Sequence, residues 1–367
     1  MNKIRIPAEY GVLVFGILVS LVIIIWRIDL AYGYDPTLMI PENGQPFYPD
    51  EISYYSGTLV RSLSLDDFLK SFLKGYLMNV NLWGNFIYFL KECGVRWYYL
   101  FFMGVFFYIL FGIVLMKILS LLMGNTIDRL FLYSIIMLHP GILQIAVSWL
   151  RDIVLITLLL FSLFSLLKKK PFSFFLSTLM IFFLRSYMVV INIFLLIFLI
   201  DKNRKRAFLV SGGIIITIFY FLILSFDIIY LKRFGQEFIQ RLIENFLGIN
   251  LWLLQGKIIP NGGLSDLEVW ANYYYALTYF CLYFYIIFKK RIKFRYVLEN
   301  QLFLSAVFTG LFITILHSMT LGFFVSRIKL LTWILFVIAT ASIVGNKEKM
   351  KAEVDIKIVL TCSDERV

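Results

Sequence analysis

Apolar runs, many of them close to the ~20 residues a helix needs to cross a hydrocarbon layer of ~30 Å, recur from one end of this chain to the other. They fall near residues 8 to 26, 97 to 116, 130 to 147, 152 to 167, 172 to 184, 187 to 200, 207 to 226, 270 to 288, 300 to 320 and 328 to 345. The intervals leave no room for a large soluble domain. With 60% of the 367 residues hydrophobic, the chain also lacks the polar surface such a domain would show to water. The predicted fold class is an all-α polytopic membrane protein of about ten transmembrane helices. Residues 1–346 form a single integral membrane domain and 347–367 a cytoplasmic tail.

A net charge of +12 would suit a nucleic-acid binder, but the charges are placed for something else. With the N-terminus inside, the inner turns hold Lys117 and Arg129, Lys168 to Lys170, Lys202 with Arg204, Lys205 and Arg206, and Lys289 to Arg295. The outer segments carry as many acids as bases. This is the positive-inside asymmetry, so the expectation is a multi-pass cell-membrane protein with both termini cytoplasmic, the bilayer as partner and no nucleic acid.

The first run follows Lys3 and Arg5 in the manner of a signal peptide. It continues into Trp26, Arg27, Ile28 and Asp29 without a small-residue cleavage site, and is read as an uncleaved anchor. Cys93, Cys281 and Cys362 fall outside, within a span and inside, so neither a disulfide nor a cysteine metal site is expected.

Two outward segments are long, 27–96 and 227–269. In the first, Ser64 to Asp67 form a capping box ahead of Leu65, Phe68, Leu69, Phe72, Leu73 and Tyr76 at helical spacing. In the second, Leu231, Phe234, Phe238, Leu242 and Phe246 form a similar stripe. Each predicts an amphipathic helix on the membrane surface. Residues 171–200 pose a separate choice, because one long helix there would put Lys202 to Arg206 outside. A short hairpin keeps the charge pattern and leaves Arg185 at its tip, below the outer surface, where a guanidinium needs a partner or a wet cavity.

On this topology Asp50 and Glu51, Arg151 and Asp152, Arg185 with Tyr187, and Arg327 with Lys329 share the outer face. Together they predict a bowl in which guanidinium groups face carboxylates, suited to an anionic lipid head group. A carboxylate among Asp50, Glu51 and Asp152 is the candidate catalytic base, with Tyr54, Tyr187, Arg151, Arg185, His317, Arg327 and Lys329 as substrate-binding candidates. Adjacent residues point in different directions, so one of Asp50 and Glu51 can do chemistry while the other holds an arginine or a metal. The bland readings are an exposed Asp50-Glu51 pair capping a helix, a salt-bridged helix start at Arg151-Asp152, a structural partner for Asp152 in Arg185, and snorkelling at Arg327 and Lys329. His139 before Pro140 reads as a packed polar residue in a loosened helix. Two histidines without HExxH or HxH spacing argue against zinc, while an oxygen-ligated Mg²⁺ or Mn²⁺ at Asp50, Glu51 or Asp152 stays open.

The stretches PDEISYYSGTLVRSL, NLWGNFIYFLKECG, RLFLYSIIMLHPGILQIAVSWLRDIVLITLLL and FFLRSYMVVINIFLLIFLI, in that order after a first span, resemble bacterial GT-C class membrane glycosyltransferases. These are relatives of the protein mannosyltransferases that use polyprenyl-phosphate sugars. The resemblance covers roughly residues 8 to 200. It implies that Asp50 or Glu51 is the base or orients the acceptor, and that Asp152 is a second acidic loop residue. It also implies transfer of a sugar from a polyprenyl-phosphate carrier to a cell-envelope glycan, lipid or protein on the outer face. The nearest competing expectation is an O-antigen or capsular repeat-unit polymerase that relies on arginines. A lipid-linked-sugar flippase or transporter is disfavoured, since no repeated half is visible and the charges lie on one face.

Overall fold

Among the described residues the apolar segments are helical and there is no strand. The computed structural model describes residues 7–32, 47, 49–56, 82–200, 203–225, 294–320 and 330–346, with single positions between 273 and 292. The elements are α1 (Ala8–Leu30), α2 (Pro49–Ser56), α3 (Leu82–Glu92), α4 (Trp97–Leu122), α5 (Thr126–Met137), α6 (Pro140–Ala146), α7 (Asp152–Leu167), α8 (Pro171–Leu184), a 3₁₀ turn (Ser186–Met188), α9 (Val189–Ile200), α10 (Arg204–Ser225), α11 (Phe294–Leu298), α12 (Gln301–Thr320) and α13 (Leu330–Asn346).

Among the described residues two helices, α1 and α4, are long and apolar enough to cross a membrane, and α5 with α6 makes a third if taken as one bent span. Helices α7, α8, α9 and α13 are apolar but shorter, so helix length alone does not supply the expected ten crossings among the described residues. The first span also ends later than position 26, at Leu30, which puts Arg27 inside the helix rather than in the outer loop. The amphipathic helices expected around 65–76 and 231–246, and the tail from 347, lie outside the described residues.

Helix α1 carries an ion pair at each end, Glu9 with Arg129 and Arg27 with Glu51. The pairs are 18 residues apart along the helix, a rise of ~27 Å that nearly matches a hydrocarbon layer. Between them Val14, Phe15, Leu18, Val22 and Ile25 are exposed, with Tyr10 and Trp26 exposed near the two ends. An apolar face bounded by aromatic residues is what a lipid-facing helix presents.

Pro140 interrupts the third apolar run, and α5 and α6 diverge by 56°. His139 caps α6, its Nδ1 accepting the Gly141 N–H at 2.9 Å while its ring packs on Tyr274 and Trp333. The following backbone, Val147 to Leu150, is buried against α4, and Gly104 makes that approach possible. A Cβ there would stand 2.3 Å from the Ala146 carbonyl oxygen and 2.6 Å from that of Ser148.

The choice between hairpin and long helix at 171–200 is settled by a polar cluster. Asn192 Nδ2 donates to Thr178 Oγ1 at 2.8 Å and to Ser162 Oγ at 3.1 Å, and Ser162 meets Ser177 at 2.7 Å. In one continuous helix residues 178 and 192 would stand ~21 Å apart. They touch because α8 and α9 fold back on each other at Arg185, seven residues from each.

Candidate functional site

Pro49 opens α2, and its fixed φ suits the first helical turn. The next two residues separate completely. Glu51 is fully buried, and its Oε2 pairs with Arg27 Nη2 at 2.7 Å. Its Oε1 accepts Arg27 Nη1 at 3.3 Å and the backbone N–H of Trp149 at 3.1 Å. Arg27 also donates to the Val147 carbonyl, at the C-terminal end of α6 where a cation is favoured, and its guanidinium lies 4.5 Å from the centre of the Phe101 ring.

Trp149 is the hub of this knot. Its Nε1 donates to the Glu51 carbonyl at 3.2 Å, its own carbonyl accepts Trp83 Nε1 at 2.7 Å, and its ring stacks on Phe101 at 4.9 Å. Phe47 and Tyr55 pack around the same ring. The knot thereby fixes α2 and α3 to the broken-helix segment that leads, two residues later, into Arg151 and Asp152.

Asp50, on the other side of the α2 turn, is half-buried. Asp152 opens α7, where the helix dipole favours an anion, and pairs with Arg185 Nη1 at 3.3 Å. Arg185 stands over the Tyr187 ring at 5.3 Å. Arg151 donates to the Leu184 carbonyl at 3.3 Å, and it makes no ion pair among the described residues. The charges of Arg151, Asp50, Asp152 and Arg185 all act on the Tyr54 hydroxyl, and the same four act on Tyr187. Burial dominates for Tyr54 and pushes its phenol up to about 12, so it remains a hydrogen-bond donor at neutral pH.

Six of the sequence-derived candidates thus meet at one end of the helical bundle: Asp50, Tyr54, Arg151, Asp152, Arg185 and Tyr187. Glu51 faces away from them. An exposed, capping role for the Asp50-Glu51 pair does not describe Glu51, which no solvent reaches. His317 lies on α12, and Arg327 and Lys329 lie outside the described residues. Among the described residues no three of His, Cys, Asp and Glu come together as metal ligands, and Glu51 is held by Arg27. Cys93 and Cys281 are free thiols.

Arg27, Trp83 and Trp149 were not legible as site residues. A signal for Arg27 existed, because an arginine inside an apolar helix demands a partner just as Arg185 does.

Comparison of the chain with protein-family models, with curated proteins and with solved structures finds no match.

Proposed function

We propose that this chain is a GT-C-like membrane glycosyltransferase that moves a sugar from a polyprenyl-phosphate-linked donor to a cell-envelope acceptor at the outer face. What carries the reading is the convergence of Asp50 with Arg151, Arg185 and two tyrosines at one end of the bundle, beside a carboxylate, Glu51, that is locked away. That convergence divides the roles. Asp50 is the base, Asp152 aligns Arg185, and Arg151 is the cation available to a phosphate. Tyr54 and Tyr187 supply hydroxyl donors.

The reaction is a single displacement. Asp50 takes the proton of the acceptor hydroxyl, the acceptor oxygen bonds to the sugar's anomeric carbon, and the bond from that carbon to the phosphate oxygen breaks. The electron pair leaves with the phosphate, whose growing charge Arg151 and Arg185 stabilise. Placement on the outer face rests on the basic inner turns, including Arg129 and Lys168 to Lys170.

The test is transfer of labelled sugar from polyprenyl-phosphate donors in membranes containing the chain, with Arg151→Gln, Arg185→Gln and Asp50→Asn made singly. Loss in all three is expected. Full activity in all three ends the proposal, and loss in the arginine variants alone moves the reading to an arginine-dependent repeat-unit polymerase.

A further inference from the structure

At the end of the bundle opposite Asp50 lies a cavity of about 350 Å³, a volume within the range of small-molecule sites. Its apolar lining is Leu122, Leu167, Leu199 and Leu302. Its polar lining includes Glu299, Gln301, Ser342 and Asn346. No part of the proposed transfer chemistry uses it.

Two helices end at this cavity with their carbonyl termini. Leu122 closes α4 and Leu167 closes α7, while Leu199 of α9 and Asn346 of α13 also line it. Helix C-termini carry unsatisfied carbonyls and the negative end of the dipole. The positive end that also arrives, the start of α12, is capped: the Phe303 N–H donates to Asn300 Oδ1 at 3.0 Å. Asn300 Nδ2 in turn donates to Ser342. Within the cavity the helix ends therefore favour a cation, and the side chains offer a carboxylate, two amide oxygens and a hydroxyl to one that can donate several hydrogen bonds. Glu299 is bonded to Arg295, whose side chain is 87% exposed, so solvent screens that pair.

Two further features fix the kind of molecule. The leucine lining suits apolar chain beside the cation. Directly after Leu167, the exposed Lys168, Lys169 and Lys170 form a turn that suits a phosphate. Ammonium, phosphate and hydrocarbon in that order describe one class of ligand. We infer that this cavity binds the head group of an aminophospholipid from the inner leaflet, with its primary ammonium against Glu299 and its phosphate at the Lys168 to Lys170 turn.

The test uses the full-length chain in detergent with equal amounts of phosphatidylethanolamine, phosphatidylcholine and phosphatidylglycerol, and native mass spectrometry counts the lipid retained. Phosphatidylethanolamine should be retained about tenfold over the other two, the difference one charge-assisted hydrogen bond makes. Glu299→Gln, a change at a partly exposed side chain, should bring the three lipids to near equality without shifting the melting temperature. Ser342→Leu, which fills the cavity, should lower retention of all of them at this site. Equal retention by the unaltered chain would overturn the inference, and so would a preference that survives Glu299→Gln. Release of the lipid by millimolar ethanolamine would show a soluble amine to be the occupant and overturn the lipid assignment.

Discussion

Glu51 and Arg27 face each other through two contacts, 2.7 and 3.3 Å, with neither side chain exposed to solvent. A pair taken this far from water is justified less by its own attraction than by what it fixes in place, because desolvation offsets much of the Coulomb gain. Here it fixes α2 to α1 and to the Trp149 backbone, and so sets where Asp50 stands.

Removing one partner leaves the other charged and enclosed. Arg27→Met or Glu51→Leu alone should therefore destabilise the protein by ~3–5 kcal/mol, whereas the two together should regain most of that loss. Thermal unfolding in detergent measures both. Additive losses in the double variant would show that the pair is not coupled.

The fold at Arg185 predicts a cross-link. In a background lacking Cys93, Cys281 and Cys362, Thr178→Cys with Asn192→Cys should form a disulfide on mild oxidation, since the native side chains meet at 2.8 Å. Absence of that bond, in protein whose other properties are unchanged, would restore the single long helix.

Gly104 has no room for a side chain. Gly104→Val should destabilise by at least ~1–3 kcal/mol, because the added atoms run into carbonyl oxygens of a buried backbone that has nowhere to move. Gly11→Ala, where nothing lies within 4 Å, is the control and should leave the melting temperature unchanged or slightly raised.

Tyr54 has a pH consequence with a definite sign. Burial raises its phenol to about 12, so the folded state keeps this proton where the unfolded chain begins to lose it near 10, and stability falls as pH rises through that interval. Below roughly pH 10 the hydroxyl stays intact. Tyr54→Phe should accordingly lower transfer activity by a constant factor from neutral pH to about 10. A ratio that closes toward pH 10 would mean that the phenol ionises earlier than its burial implies.

The sequence made the apolar helices readable because a hydrocarbon environment imposes composition over whole segments, although among the described residues two or three rather than ten have the length and composition to cross. It made the hairpin readable through the charge pattern expected of Lys202 to Arg206. It also placed Asp50, Arg151, Asp152 and Arg185 on one face through sidedness alone. The partner of Glu51 was out of reach, since 24 residues separate it from Arg27 and only packing tells which of two adjacent carboxylates turns inward. Helix α3 carries its signal in the sequence: Trp83 and Ile87 are buried and Leu90 partly so, a spacing of four and then three along one face. Gly94 then closes it with φ 84°, its N–H reaching Lys91 and that of Val95 reaching Leu90, a helix ending that needs glycine.

In the proposed transfer Asp50 is the base that faces the acceptor. Its direct measurement is the rate of sugar transfer from a polyprenyl-phosphate donor in proteoliposomes by Asp50→Asn, alongside its melting temperature. The predicted result is a fall of ~10²–10⁴-fold with the melting temperature of the unaltered chain. An Asp50→Asn protein that transfers sugar at the original rate would contradict it.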